Sequence, residues 1–435
     1  MAPESAILSK LTRRLIPLMF LLYIVSYLDR INVGFAALQL NKALNFDPVI
    51  FGLGAGLFFI GYFIFEIPSN LIMERVGARV WMARILVTWG LISSAMMFVH
   101  GIAGFYVLRF LLGAAEAGFF PGMILYLTYW FPAEARGRAI ARFMTATAIA
   151  GVVGGPVSGV LLNMHGIAGL AGWQWLFLIE GLPAVILGFV VFAILPDRPQ
   201  DARWLTAAEK VWIMSRLDQE REAKRNRAAT VKEAIASGRV WMLAFIYFAV
   251  ITSFYGVSLW LPQIVRSFSG MSDLLVGFVS AIPYVAASLG MVSIGKSSDR
   301  HIERRWHVAL SALIGAAGLT GAAFSKIPAM ELAALSLGAI GIWGTLGPFW
   351  AMSSESLRGT GAAAGIALIN SIGNLGGFLG PYLVGIVRSR TDDFALALLA
   401  LAVWPFLGSI LTISISPQPS TQILRTANGT TPSGR

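Results

Sequence analysis

Runs of about 20 apolar residues recur along the whole chain, each closed by a short polar or charged stretch. A helix of that length crosses a hydrocarbon core of about 30 Å, because each residue rises about 1.5 Å. The pattern predicts twelve spans near 15–36, 50–70, 81–99, 104–127, 138–162, 173–195, 240–262, 275–295, 307–325, 331–352, 359–387 and 394–416. A long polar interval from Pro196 to Ser237 separates six spans from six. Within it, Ala207–Arg227 interleaves acids and bases as an exposed helix does. We therefore expect an all-α polytopic membrane protein. Its parts are a six-helix bundle over 1–195, a linker over 196–238, a second bundle over 239–416 and a disordered Ser/Thr/Pro-rich tail over 417–435. Lys10, Arg13 and Arg14 precede an apolar run, but no small-residue cleavage site follows, so the start does not read as a cleaved signal.

One span is interrupted from within. Tyr27-Leu28-Asp29-Arg30-Ile31-Asn32 places an acid and a base side by side in the first apolar run. Such charges cost several kcal/mol in hydrocarbon unless they meet partners or water. Asp29 and Arg30 are therefore read as lining a polar pathway. Arg109 and Glu116 interrupt span 4 in the same way. At 1.5 Å per residue, Asp29 and Arg109 fall at similar depth, which predicts an Asp29–Arg109 ion pair. Glu116 lies two turns further along the same face, near the midplane, with no evident fixed partner. The alternative is a static structural cluster of Asp29, Arg30 and Arg109.

Composition narrows the class. The chain is 57% hydrophobic and 13% charged, where a soluble protein carries about 25%. The absence of cysteine excludes disulfides and thiolate metal sites. The net charge of +11 is a matter of distribution. With the N-terminus inside, 26 of the 33 Lys and Arg fall on inner segments, and only Lys42, Arg266, Lys326, Arg388 and Arg390 fall outside. That is the positive-inside bias, and it explains the charge without nucleic acid. His100, His165, His301 and His307 form no metal-ligand set, and there is no nucleotide motif or nucleophile constellation. Neither an enzyme nor a cofactor-binding protein is expected.

The two halves repeat. Glu74-Arg75 after span 2 recurs as Asp299-Arg300 after span 8, and Gly155-Pro156 in span 5 recurs as Gly380-Pro381 in span 11, both at an offset of 225. Arg136-Gly137 recurs as Arg358-Gly359 at 222. A six-helix unit repeated in one orientation is a recognised transporter plan, with the substrate site between the halves at the midplane.

Several motifs carry a resemblance. They are Tyr27-Leu28-Asp29-Arg30-Ile31-Asn32-Val33-Gly34-Phe35-Ala36, Pro68-Ser69-Asn70 with Glu74-Arg75-Val76-Gly77-Ala78-Arg79, Arg109 through Glu116 to Pro121-Gly122, and Gly172-Trp173-Gln174-Trp175-Leu176-Phe177. Together they resemble the anion:cation symporter family of the major facilitator superfamily, in its bacterial branch of phthalate, hydroxyphenylacetate, tartrate and sugar-acid permeases. The first copy of the loop motif has Glu74 where Asp is usual and Asn70 where Gly is common. The resemblance implies proton-coupled uptake of an organic carboxylate by alternating access, with Asp29 and Glu116 in proton coupling and arginine in anion binding. Exchange, uniport, sodium in place of protons and a transporter-like sensor stand as alternatives, and the choice among aromatic acid, tartrate-like diacid and sugar acid stays open. The expected setting is a bacterial inner membrane, as a monomer with both termini cytoplasmic.

The remaining candidates are read from residue type and place. Arg30 and Arg109 are candidates to attract the anion. Tyr62, Asn370 and Asn374, with Tyr255, Trp260, Gln263, Trp343 and Trp350, are candidates to shape the pocket; aromatics at this spacing also serve as packing or as an interface belt. Glu74, Arg75, Arg79, Asp299 and Arg300 are expected to form charge networks that gate the inner ends. Glu66 and Glu180 are read as structural, or as lying in wetter parts of their helices.

Overall fold

In the computed structural model, residues 4–225, 236–357, 362–391 and 393–415 are described. Arg358-Gly359 and the tail from Pro417 lie outside them. The described chain is helical, without strands, and its helices form twelve spans. Span 1 is Glu4–Ala43, span 2 Pro48–Val76 and span 3 Ala78–Ala95. Span 4 is Ile102–Glu116 continued by Phe119–Thr128, and span 5 is Ala133–Met144 continued by Ala146–Leu162. Span 6 is Gly172–Ile194, followed by a linker helix, Ala207–Arg225. Span 7 is Gly238–Ser269, span 8 Asp273–His301, span 9 Arg305–Phe324 and span 10 Pro328–Ser356. Span 11 is Ala362–Asn374 continued by Gly376–Thr391, and span 12 is Ala395–Ser414.

Local chemistry sets the ends. Span 2 starts where Asp47 accepts the Ile50 amide at 2.7 Å, with Pro48 in the first turn, where its missing N–H costs nothing. It stops at Gly77, whose φ of 98° no residue with a Cβ adopts easily. The outer faces are apolar and uncovered: Ile186, Phe189 and Ile194 of span 6 are 61%, 65% and 63% exposed. Such a girdle fits lipid rather than water.

Spans 1–6 pack together, as do spans 7–12, and the two bundles meet along spans 1 and 7, 2 and 11, and 5 and 8. The end carrying the N-terminus and the linker helix is called here the linker end, and the opposite end the far end. Backbones touch at the far end. A Cβ on Gly155 of span 5 would lie 2.4 Å from the Gly277 carbonyl of span 8, and a Cβ on Gly277 would lie 2.4 Å from the Gly155 carbonyl. The mate contact joins spans 2 and 11: a Cβ on Gly52 would lie 2.6 Å from the Pro381 carbonyl. The repeat offset relates them: 52 + 225 = 277 and 155 + 225 = 380. Polar contacts add to this closure, with Gln39 donating to Asp273 at 2.8 Å and Asn41 to Gln263 at 3.4 Å.

At the linker end, the linker helix is tied to the first bundle. Lys10 pairs with Glu209 at 2.8 Å, Arg136 with Glu220 at 3.0 Å, and Trp130 stacks on Trp204. Lys10 donates to the Glu209 carboxyl and holds it below the usual glutamate range. The expected gating networks are not as drawn from the sequence. Arg79 meets Asp197 through its backbone N–H at 2.8 Å, and Asp299 pairs with Arg304 at 2.6 Å, which also reaches Glu355. Glu74, Arg75 and Arg300 are exposed and form no ion pair among the described residues. These positions sit at helix ends facing water, where nearby loops supply nearer counter-charges than the motif partners do.

A candidate ionic site at the seam between the bundles

Arg30 of span 1 turns towards the second bundle. Its Nη2 pairs with the Glu116 carboxylate of span 4, and its Nη1 donates to Tyr255 Oη of span 7 at 2.9 Å. Ser26, one turn earlier, donates to the same Glu116 oxygen at 2.8 Å. The guanidinium also lies 5.4 Å from the ring centres of both Phe58 and Tyr62 on span 2. One cation therefore gathers spans 1, 2, 4 and 7. It is buried, with 9% of Arg30 and 1% of Glu116 exposed. A buried arginine and carboxylate are tolerable together because each cancels the other's desolvation cost in part; alone, either costs several kcal/mol.

Span 4 is built to present Glu116. The first helical segment ends on that residue, and Gly118 follows with φ 82°, a left-handed turn favouring glycine. A Cβ there would lie 2.4 Å from Ser69 Oγ. The carbonyl end of a helix repels a carboxylate. Glu116 therefore depends on Arg30 and Ser26 for compensation. The expectation that it lacks a fixed partner is wrong: equal depth was the only criterion, and Arg30 reaches it from its own level.

The expected Asp29–Arg109 pair is also absent. Asp29 points into the first bundle, where it accepts from Ser93 at 2.6 Å, from Asn32 at 3.0 Å and from the Trp89 indole. Neighbours on a helix diverge by about 100°, so Asp29 and Arg30 face different partners. Arg109 donates to the span 2 carbonyls of Gly54 and Ala55 at 3.3 and 3.1 Å. Its guanidinium lies 5.1 Å from the centre of Phe58, whose ring thus adjoins both arginines.

The other candidates divide. Tyr62 and Tyr255 are at the seam against Arg30. Asn370 of span 11 donates to Glu66 of span 2 at 2.8 Å, and Ser371 to the other Glu66 oxygen at 3.4 Å. Of the two readings of Glu66, the wetter one does not hold: the residue is 5% exposed, and it joins the bundles. Its signal in the sequence is position: it follows Tyr62 by four, on one helix face. Asn374 is half-buried and takes no part in that contact. Trp350 packs on Tyr247 with ring centres 4.9 Å apart. Trp343 packs on Phe254, and Trp260 packs on Phe51 while donating to Pro381 O at 3.0 Å, so both serve packing. Glu180 accepts from Ser158 at 2.9 Å within the first bundle. Tyr255 was legible in one further way, since 30 + 225 = 255 puts it at the repeat mate of Arg30.

Fold and seam define a class: a twelve-span helical membrane protein whose two six-helix repeats meet at a buried ionic site. A profile of the Major Facilitator Superfamily matches residues 19–381, and the chain belongs to that family. It is 47% identical over 426 residues to a "Putative tartrate transporter" of Agrobacterium vitis, covering 98% of this chain and 95% of the relative. It is 43% identical over 426 residues to a "Quinolone resistance transporter" of Acinetobacter baumannii, covering 98% of each. Among solved structures, it matches a bacterial homologue of the human lysosomal transporter Spinster, in an inward-facing and occupied conformation, with a TM-score of 0.76 over 92% of this chain and 95% of that one. At 16% identity that likeness is one of fold.

Proposed function

We propose that the protein is a proton-coupled symporter that takes up an organic carboxylate across a bacterial inner membrane by alternating access. Both termini and the linker face the cytoplasm, on the strength of the Lys and Arg distribution. The far end is then the outer side, and its glycine contacts correspond to a state closed outwards. The observation that carries the reading is Arg30, held at the seam by Glu116 from the first bundle and Tyr255 from the second.

The chemistry follows from charge balance. Arg30 with ionised Glu116 is neutral, so a substrate carboxylate entering the seam adds an unpaired charge, at a cost of several kcal/mol. A proton on Glu116 offsets one carboxylate and frees the guanidinium for it, which it matches with two parallel donors; the second carboxylate of a diacid calls for a second proton or for the charge of Arg109. Substrate and proton are then accepted together. Tyr62 and Tyr255 flank the bound anion, and Asn370 and Trp350 line the second bundle's side of the site. Arg109 adds positive potential behind Phe58. Asp29, with three donors inside the first bundle, anchors span 1 rather than carrying the proton. The Agrobacterium relative supports a tartrate-like substrate.

The test is uptake into proteoliposomes holding the full chain. Labelled tartrate should accumulate against its gradient when the outside is acidified, and accumulation should collapse with a protonophore. Equilibration without accumulation would instead indicate a uniporter or exchanger. The Acinetobacter relative favours a second reading, export, and loading the vesicles with substrate distinguishes it by the direction of net flux.

A further inference from the structure

Glu66 is a buried acid at the seam, beside Arg30, that the scheme above leaves without a task. It lies four residues after Tyr62 along span 2, about 6 Å further towards the linker end. Tyr62 in turn lies under Arg30. A ligand held by Arg30 and extending past Tyr62 therefore meets Glu66 next. The carboxylate of Glu66 holds the two donors that span 11 offers there, Asn370 Nδ2 at 2.8 Å and Ser371 Oγ at 3.4 Å. Both bonds from span 11 run to Glu66 as the acceptor, and a carboxylate has about four acceptor positions, so two remain that further donors can fill.

We infer that Glu66 is a specificity-determining residue that contacts the substrate and selects hydroxylated carboxylates, by accepting hydrogen bonds from hydroxyl groups beyond the carboxylate bound at Arg30. The inference rests on the reading of Arg30 as the carboxylate site. A chain carrying hydroxyls satisfies the open acceptor positions. A chain with methylenes in their place leaves a buried carboxylate short of donors, and such a site rejects the analogue strongly. A substrate hydroxyl at Glu66 also joins the contact between spans 2 and 11, so the hydroxylated ligand ties the two bundles together as it binds.

The experiment compares tartrate with succinate, two four-carbon diacids that differ only in two hydroxyls, using the full chain in proteoliposomes. Wild type should take up tartrate at least about tenfold better in kcat/KM. Glu66→Met keeps the length, removes both acceptors and should bring the ratio towards one. Glu66→Gln keeps one acceptor and should fall between, so the prediction survives if one variant fails to fold. An unchanged ratio in a variant that still transports, with both acids slowed alike, overturns the selector role and makes Glu66 a strut between bundles. Absence of preference in the wild type does the same. Uptake of neither acid by the wild type overturns the carboxylate reading and this inference with it.

Discussion

Replacing Gly277 by alanine should open the far end. The new Cβ would lie 2.4 Å from the Gly155 carbonyl oxygen, 2.8 Å from Gly159 Cα and 3.0 Å from Gly159 N. All three are backbone atoms in an intact helix, so no side chain can swing aside. Restoring an ordinary contact of about 3.4 Å moves spans 5 and 8 apart by about 1 Å, and overpacking of that kind costs about 1–3 kcal/mol. The cost falls only on the state in which the spans touch. It therefore shifts the equilibrium towards the far-end-open state by about 5–150-fold. The chain has no cysteine, so a single reporter can be placed cleanly. Ser280, fully buried one turn from Gly277, becomes Ser280→Cys, and its labelling by an impermeant maleimide added from the far side is timed. Gly277→Ala should speed labelling by that factor. Gly52→Ala, whose Cβ meets the Pro381 carbonyl at 2.6 Å, should act in the same direction. Gly347→Ala, with nothing within 4 Å, should be silent. Unchanged labelling in the first two variants, or an equal effect at Gly347, would refute the closure argument.

Three other expectations follow from the same geometry. Trp89→Phe removes one donor to Asp29 and should cost about 1–3 kcal/mol of stability, read as a lower Tm in detergent, while uptake by the folded protein keeps its proton dependence. Tyr255→Phe removes the second bundle's hydrogen bond to Arg30 and should weaken tartrate uptake about 3–10-fold, chiefly through KM; a change in kcat alone would place Tyr255 outside the binding step. Docking of the linker helix through Lys10 and Glu209 depends on an ionised carboxyl whose pKa the pairing lowers. That contribution is present at neutral pH and is lost as pH falls through the lowered value, so protease resistance of residues 207–225 should hold from neutral to mildly acidic pH and fail only below the ordinary glutamate range.

The architecture was legible because apolar length reports directly on the bilayer. The repeat offset was legible too, and the structure gives it physical content in the paired glycine contacts of Gly52 and Gly277. Partner choice was less so. Depth along a helix axis is countable from the sequence, but azimuth depends on how spans rotate in the bundle. Asp29 and Arg30 therefore went to different neighbours, and Arg109 found carbonyls of span 2 instead of a carboxylate. Glu116 meets Arg30 just before Gly118 breaks span 4, a kink that no periodicity shows. Glu66 was read only as structural or wet because a lone acid among apolar residues carries no motif; the approach of span 11 shows which elements it joins.

The central claim is that Glu116 leaves Arg30 only with a proton, and that the carboxylate substrate takes its place. Proteoliposomes enclosing a pH-sensitive dye test it by pairing proton entry with labelled tartrate entry. Wild type should acidify the lumen in fixed proportion to tartrate taken up. Glu116→Gln, neutral at every pH, should exchange tartrate for tartrate without moving protons. Tartrate entry without acidification in the wild type, or an unaltered proton-to-tartrate ratio in Glu116→Gln, would contradict it.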